Sequence, residues 1–185
     1  MARARRVAAR AAIVAMLVLC AGCASIPLGT LWQMRNFGPE QLQALDPQQL
    51  RVAGRIDPAP LRFRPGTMQL KLSLTPRAEG RPVEEHVFGL RESSVFAHAL
   101  VPRGEPRWQV FELDADGVAA MRRLQPRLGR VKDDYSGFGF SVQWKVDGQL
   151  PAAGSPAFVN VRMQLATEQA PFTLIDRLRV EVGKD

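Results

Sequence analysis

Residues 68 to 75, Met-Gln-Leu-Lys-Leu-Ser-Leu-Thr, alternate apolar and polar side chains without a break. Successive side chains of a β-strand point to opposite faces, so this octet specifies a strand with one face in a core and the other in water. Arg64-Pro65-Gly66 before it and the run from Pro76 to Gly80 after it supply turn residues. The same period recurs along the chain. Leu50, Val52 and Ile56 alternate with Arg51 and Arg55, and Phe138, Phe140, Val142, Trp144 and Val146 with Gly139, Ser141, Gln143 and Lys145. Val159, Val161, Met163 and Leu165 alternate with Asn160, Arg162 and Gln164, and Leu178, Val180 and Val182 with Arg177, Arg179 and Glu181. Residues 83–91, 94–101 and 108–113 read as further strands of weaker alternation. Strands that are polar on one side pair antiparallel, because parallel strands are buried on both faces.

Two helices interrupt this pattern. Gly38-Pro39 opens a short one over 39–46, with Glu40 at its positive end and Leu42 and Leu45 one turn apart. Asp46-Pro47 closes it, since the residue before proline avoids the helical region. The second covers 115–125. Asp114 or Asp116 can cap it, and Val118, Met121, Leu124 and Leu128 form its apolar stripe. Pro126 is expected to end or kink it near Gln125. The fold class that follows is mainly β, α+β at the margin: an antiparallel β-sandwich or a single curved sheet of seven or eight strands, with the 115–125 helix across one face. Met68, Leu70, Leu72 and Leu74 should share a core with Phe140, Val142, Trp144, Val161, Met163 and Leu165.

The first residues have another layout. Arg3, Arg5, Arg6 and Arg10 precede an apolar run from Ala11 to Leu19, which is too short for the ~20 residues of a membrane-spanning helix. Small residues and a cysteine follow. Cys20-Ala21-Gly22-Cys23 resembles the lipobox of bacterial lipoproteins, with Ala21 and Gly22 as the residues recognised at the cleavage site. Cys20 stands where leucine is usual, with Leu19 one place early. The resemblance implies removal of residues 1–22, lipidation of Cys23, and a lipidated tether over 23–38 ahead of a single globular domain, 39–185. It further implies a protein held by its acylated N-terminus on the periplasmic side of a Gram-negative outer membrane, since the residue after the cysteine is Ala24 and not Asp. More than one acyl chain is needed for stable anchoring. The tether is itself apolar at Ile26, Leu28, Leu31, Trp32, Met34 and Phe37.

Charge and cysteine change meaning after such cleavage. The net charge of +7 includes four leader arginines and no leader acid, which leaves 21 basic against 18 acidic groups, spread without a like-charge block. Arginine far outnumbers lysine among abundant Ala, Gly and Pro, a composition that points to a GC-rich genome more than to phosphate contacts, and nucleic acid is not an expected partner. Both cysteines, Cys20 and Cys23, belong to the leader region, so the domain has no disulfide and no Cys-based mechanism. Its 163 residues (185 less 22) are enough for one core.

The residues that carry chemistry are sparse. His86 and His98 are the only histidines. Glu84-Glu85-His86 lacks a ligand-spaced partner and reads as a solvated strand face, not a metal site. Ser93, Ser94 and His98 lack the elbow of a serine hydrolase. Gly137-Phe-Gly139-Phe precedes a strand, so it marks a bulge or close approach at a sheet edge and not a dinucleotide loop. Asp133-Asp134 reads as a solvated loop and not a calcium site. No metal or other cofactor is expected. The exposed cluster Arg122, Arg123 and Arg127 is the candidate contact for an anionic lipid or an acidic envelope protein. These readings favour a non-enzymatic binding, assembly or structural role. The alternative is an envelope hydrolase working through carboxylates alone, for example on cell-wall glycan.

Overall fold

A computed structural model describes residues 39–94, 100–101, 104, 107–130, 134–148 and 156–180. In chain order the elements are α1 (Pro39–Ala44), β1 (Arg51–Asp57), β2 (Arg62–Phe63), β3 (Gln69–Pro76), β4 (Glu84–Glu92) and β5 (Gln109–Leu113). They continue with α2 (Ala115–Arg130), β6 (Tyr135–Gln143), β7 (Val146–Asp147), β8 (Ala157–Gln164) and β9 (Phe172–Val180). Seven strands form one curved, nearly closed antiparallel sheet in the order β6-β3-β4-β5-β1-β8-β9, and β2 and β7 pair as a separate ribbon. Of the two architectures open to the sequence, the single curved sheet is the one adopted.

The register places the alternating residues as their period requires. Leu70 faces Val142 and Phe88, and Leu72 faces Phe140 and His86. Val52 lies between Phe111 and Met163. One core unites Leu70, Leu72, Leu74, Phe88, Leu90, Val52, Ile56, Phe111, Val159, Val161 and Met163, with Phe138, Phe140 and Trp144 half-buried against it. The β2–β7 ribbon closes one side of the hollow. Phe63 of β2 is fully buried and meets Phe111 and Trp144 edge to face at 5.9 and 5.8 Å. It gets there because Gly54 of β1 has no side chain. A Cβ on Gly54 would collide with Phe63 Cε2 and stand 2.8 Å from Cζ. Gln109 of β5 completes the join, accepting from Phe63 N at 2.7 Å and donating to Phe63 O at 3.3 Å.

Helix α2 covers the β4–β5 region. Met121, Leu124 and Leu128 are buried, whereas Arg122 and Arg123 are exposed. Of the two capping candidates Asp114 takes the role: its Oδ1 accepts from Gly117 N at 2.6 Å and its carbonyl from Val118 N at 2.9 Å. The cap rests directly on β4, with Asp114 N donating to Gly89 O at 3.0 Å. A Cβ on Gly89 would collide with the Asp114 carboxylate, so this contact also depends on glycine. Gln125 of α2 donates to Leu42 O at 3.0 Å and to Leu45 O at 2.5 Å, which supplies the carbonyls at the end of α1 with donors.

Several expectations need correction. Helix α2 continues through Pro126 to Arg130 and does not stop near Gln125. Proline removes one backbone donor, but the buried Leu128 and an Arg127–Glu84 ion pair hold the extra turn. Helix α1 ends at Ala44, because Asp46 forms a turn of its own, accepting from Gln48 N on its side chain and from Gln49 N on its carbonyl, both at 3.0 Å. Residues 94–101 are not a strand where they are described. Leu100 and Val101 lie in a turn and pack on the outer side of the sheet against Ala53 and Val110. Glu84 and His86 do not lie on a solvated face: they are partners of Leu74 and Leu72 and point, half-buried, toward the core side, while Glu85 points outward to Lys71 Nζ at 2.9 Å. Gly137 and Gly139 do lie on an edge strand among the described residues, and Gly137 faces Thr75 beside a register shift at Thr75/Pro76.

Candidate functional site

The polar phases of β1, β5, β8 and β9 meet on the outer, convex side of the sheet. Strand β1 contributes Arg51, Ala53, Arg55 and Asp57, and β8 contributes Phe158, Asn160 and Arg162 in register with them, Arg55 being the partner of Asn160. Leu100, Val101 and Trp108 cover the outer side near Ala53 and Val110. Beyond that cover opens a groove of about 660 Å³ lined by Arg55, Asp57, Trp108, Phe158, Asn160, Arg162, Thr173, Asp176 and Arg177.

A bulge in β9 shapes this groove. Between the pairs Val159–Leu178 and Val161–Ile175, β8 contributes one residue, Asn160, and β9 contributes two, Asp176 and Arg177. A second register shift follows between Val161 and Arg162, where Leu174 is the extra residue of β9, and between the two shifts Asp176 and Arg177 are both left exposed. The first shift requires a left-handed backbone at Arg177, with φ of 48°. The buried Asn160 stabilises that turn, its Oδ1 accepting from Arg177 N at 3.1 Å. A non-glycine residue held at positive φ by a buried side chain is the kind of local strain that gathers at binding sites.

The arginines of the groove are held in place. Arg55 stacks over Trp108 at 5.3 Å and Arg177 over Phe158 at 5.2 Å. Arg55 Nε stands 2.9 Å from Asp57 Oδ2, and Arg162 donates to Leu100 O at 2.8 Å. Asp57 also meets Arg107 at 3.6 Å. Arg55, Arg107, Arg162 and Arg177 therefore stand against Asp57 and Asp176, so the groove and its rim carry an excess of positive charge.

A second polar group sits at the lower end of the core side. Arg127 of α2 meets both carboxylate oxygens of Glu84, at 3.2 and 2.9 Å, and His86 Nε2 stands 3.8 Å from Glu84. Burial holds the imidazole below its ordinary range and outweighs the attraction of Glu84, with Arg127 adding to the depression. Burial pushes the Tyr135 phenol up, and its contact with Glu84 adds to the rise. The group ties the last turn of α2 to the start of β4.

The sequence-derived candidates are thereby dispersed. Arg122 pairs with Asp46 at 4.0 Å, Arg127 with Glu84, and Arg123 is exposed on the helix. All three lie on α2, and none lines the outer groove. Ser93 donates to Glu112 at 3.0 Å, in a lattice where Glu112 also meets Arg51 at 3.2 Å and Arg91 at 2.5 Å. Cys23, Ala21, Gly22, the tether, His98 and Asp133 lie outside the described residues. Among the described residues no group of three His, Cys, Asp or Glu is placed to hold a metal ion, and no helix is long and apolar enough to cross a membrane. The groove arginines escape a reading of the sequence because Arg55, Arg162 and Arg177 come from three distant strands. Each occupies an ordinary polar phase, and nothing local announces the bulge. Compared with protein-family models, curated proteins and solved structures, the chain matches none.

Proposed function

We propose that this chain is a lipid-anchored cell-envelope protein, held through Cys23 on the periplasmic side of the outer membrane, with a non-enzymatic binding or assembly role exercised through the outer groove. The observation that carries the binding role is the row Arg55–Asn160–Arg177 across three strands, with both guanidiniums stacked on aromatic rings. Side chains fixed by stacking and ion pairs on a rigid sheet lose little freedom when a partner arrives. Support for the anchor comes from the Ala21-Gly22-Cys23 lipobox and from the 16 residues, 23–38, available as a tether.

Two measurements test the proposal. Mass spectrometry of the mature N-terminus should find acylated Cys23, and Cys23→Ser should leave uncleaved precursor while Cys20→Ser is tolerated. An unmodified Ala24 or Ser25 terminus would remove the anchor. A photoreactive residue in place of Thr173 should crosslink to an envelope component in living cells. Release of soluble fragments from purified cell-wall glycan by the wild-type protein would instead establish the hydrolase alternative.

A further inference from the structure

We infer that the outer groove is a phosphate-binding site, an inference that rests on the binding reading above and names the chemistry of its ligand. Four guanidiniums, those of Arg55, Arg107, Arg162 and Arg177, stand around two carboxylates, and one of these, Asp57, is already engaged by Arg55 and Arg107. The remaining positive charge comes from arginine alone. A guanidinium presents a planar fork of donors that matches phosphate oxygens, and stacking on an aromatic face fixes the plane of that fork. Neighbouring strands lie ~4.8 Å apart, so Arg55 on β1 and Arg177 on β9 are separated by roughly 10 Å across Asn160. Two arginines at that separation can both reach one multi-oxygen anion lying over Asn160, with Arg162 next to them on β8. A lone carboxylate has two oxygens and uses one such fork, whereas a phosphate can accept from several at once. Trp108 and Phe158 give the groove apolar walls beside its charge, which fits an esterified phosphate carrying a glycerol or similar organic group. The source of that phosphate is either a lipid headgroup or a soluble phosphate compound.

The test uses the full-length processed protein in nonionic detergent, titrated separately with inorganic phosphate and with dihexanoylphosphatidylglycerol, a short-chain phospholipid. Arg177→Gly is the informative variant. Glycine adopts a φ of 48° without strain, so the bulge is retained while the guanidinium is lost. It should weaken binding about tenfold, the loss of one charge-assisted hydrogen bond. Arg55→Gln should weaken it in the same sense, and Arg123→Ala, which removes an exposed arginine on the helix, should not. Affinity should fall with rising salt. Saturable, Arg177-dependent binding of the phospholipid alone identifies a headgroup; equal binding of inorganic phosphate identifies a soluble source; both support the site. The inference is overturned if neither probe saturates, if Arg177→Gly binds as the wild type does, or if Arg123→Ala loses as much. A polyglutamate peptide that binds through Arg177 when both phosphates fail would overturn the phosphate assignment and leave the binding role standing. A failed crosslink at position 173 together with failure of every anion would remove both.

Discussion

The contact between Gly54 and Phe63 can be broken by one methyl group. In Gly54→Ala the new Cβ would overlap Phe63 Cε2 and sit 2.8 Å from Cζ, well inside van der Waals contact. The ring cannot easily swing away, because it is fully buried and held edge to face by Phe111 and Trp144. Each such aromatic pair contributes roughly 0.5–1.5 kcal/mol beyond its buried area. Overpacking of this kind costs about 1–3 kcal/mol, and the smaller conformational freedom of alanine in the unfolded chain returns about 0.4–1 kcal/mol. A net loss of about 1.5 kcal/mol is expected, equivalent to a fall in Tm of about 3–6 °C for a domain of this size. Phe63→Leu removes the offending Cε2 and Cζ atoms while keeping apolar bulk, at a cost of about 1–2 kcal/mol. The double variant should therefore be little worse than Phe63→Leu alone. Urea unfolding followed by tryptophan fluorescence reads the cycle, with Trp144 reporting directly from beside the ring. If Gly54→Ala proves as stable as the wild type, or if the two losses add within about 0.5 kcal/mol, the close approach does not govern the stability of this region.

Three further outcomes are expected. Leu72→Asp should abolish cooperative unfolding by circular dichroism, since it places an unpaired charge at a position with 0% exposure; Lys71→Asp should remain folded and lose about 1 kcal/mol at most, because it replaces the ion pair with Glu85, a diagonal neighbour across the strands, by two acids. Burial depresses the His86 imidazole, so the unfolded chain takes up a proton that the folded one resists. The penalty is absent above the ordinary histidine pKa of about 6.5 and grows as pH falls below it, so urea midpoints should drop on acidification through that window and His86→Gln should flatten the drop. Arg127→Ala should cost no more than about 1 kcal/mol, as its ion pair with Glu84 is half in solvent, but should raise hydrogen exchange over 127–130 at the end of α2.

Much of the fold was legible because seven of the strands lie in one sheet whose inner side is apolar. Wherever alternation was clean, as in Met68–Thr75 and Val159–Leu165, the inward set is the set the core contains. Legibility failed where tertiary contact overrode local preference. Pro126 predicts an end or a kink near Gln125, yet Leu128 lies in the core and the helix runs on to Arg130. Glu84 and His86 looked solvated because charged residues usually are, whereas an arginine from another element, 43 positions away, provides the partner that lets them turn inward. Leu100 and Val101 suggested a strand by composition and instead form a patch over the outer face. The outer groove was hidden for a simpler reason. Arg55 belongs to the polar phase that marks β1 as half-exposed, and that phase says only which way a side chain points, not what it meets. Arg177 needed a register shift that two-residue periodicity cannot express.

The bulge that positions Arg177 also interrupts an edge of the sheet, since among the described residues β9 has no partner beyond it. An unbroken, flat edge would offer a run of backbone donors and acceptors on which another copy could add a strand. On β9 that run is broken at Asp176–Arg177, twisted by a left-handed residue, and bordered by Arg179. The effect matters most where copies are crowded in two dimensions, as tethering to a bilayer would crowd them, because effective concentrations there favour edge-to-edge growth. The same irregularity that turns an arginine toward a ligand would then keep neighbouring molecules from joining into a continuous sheet.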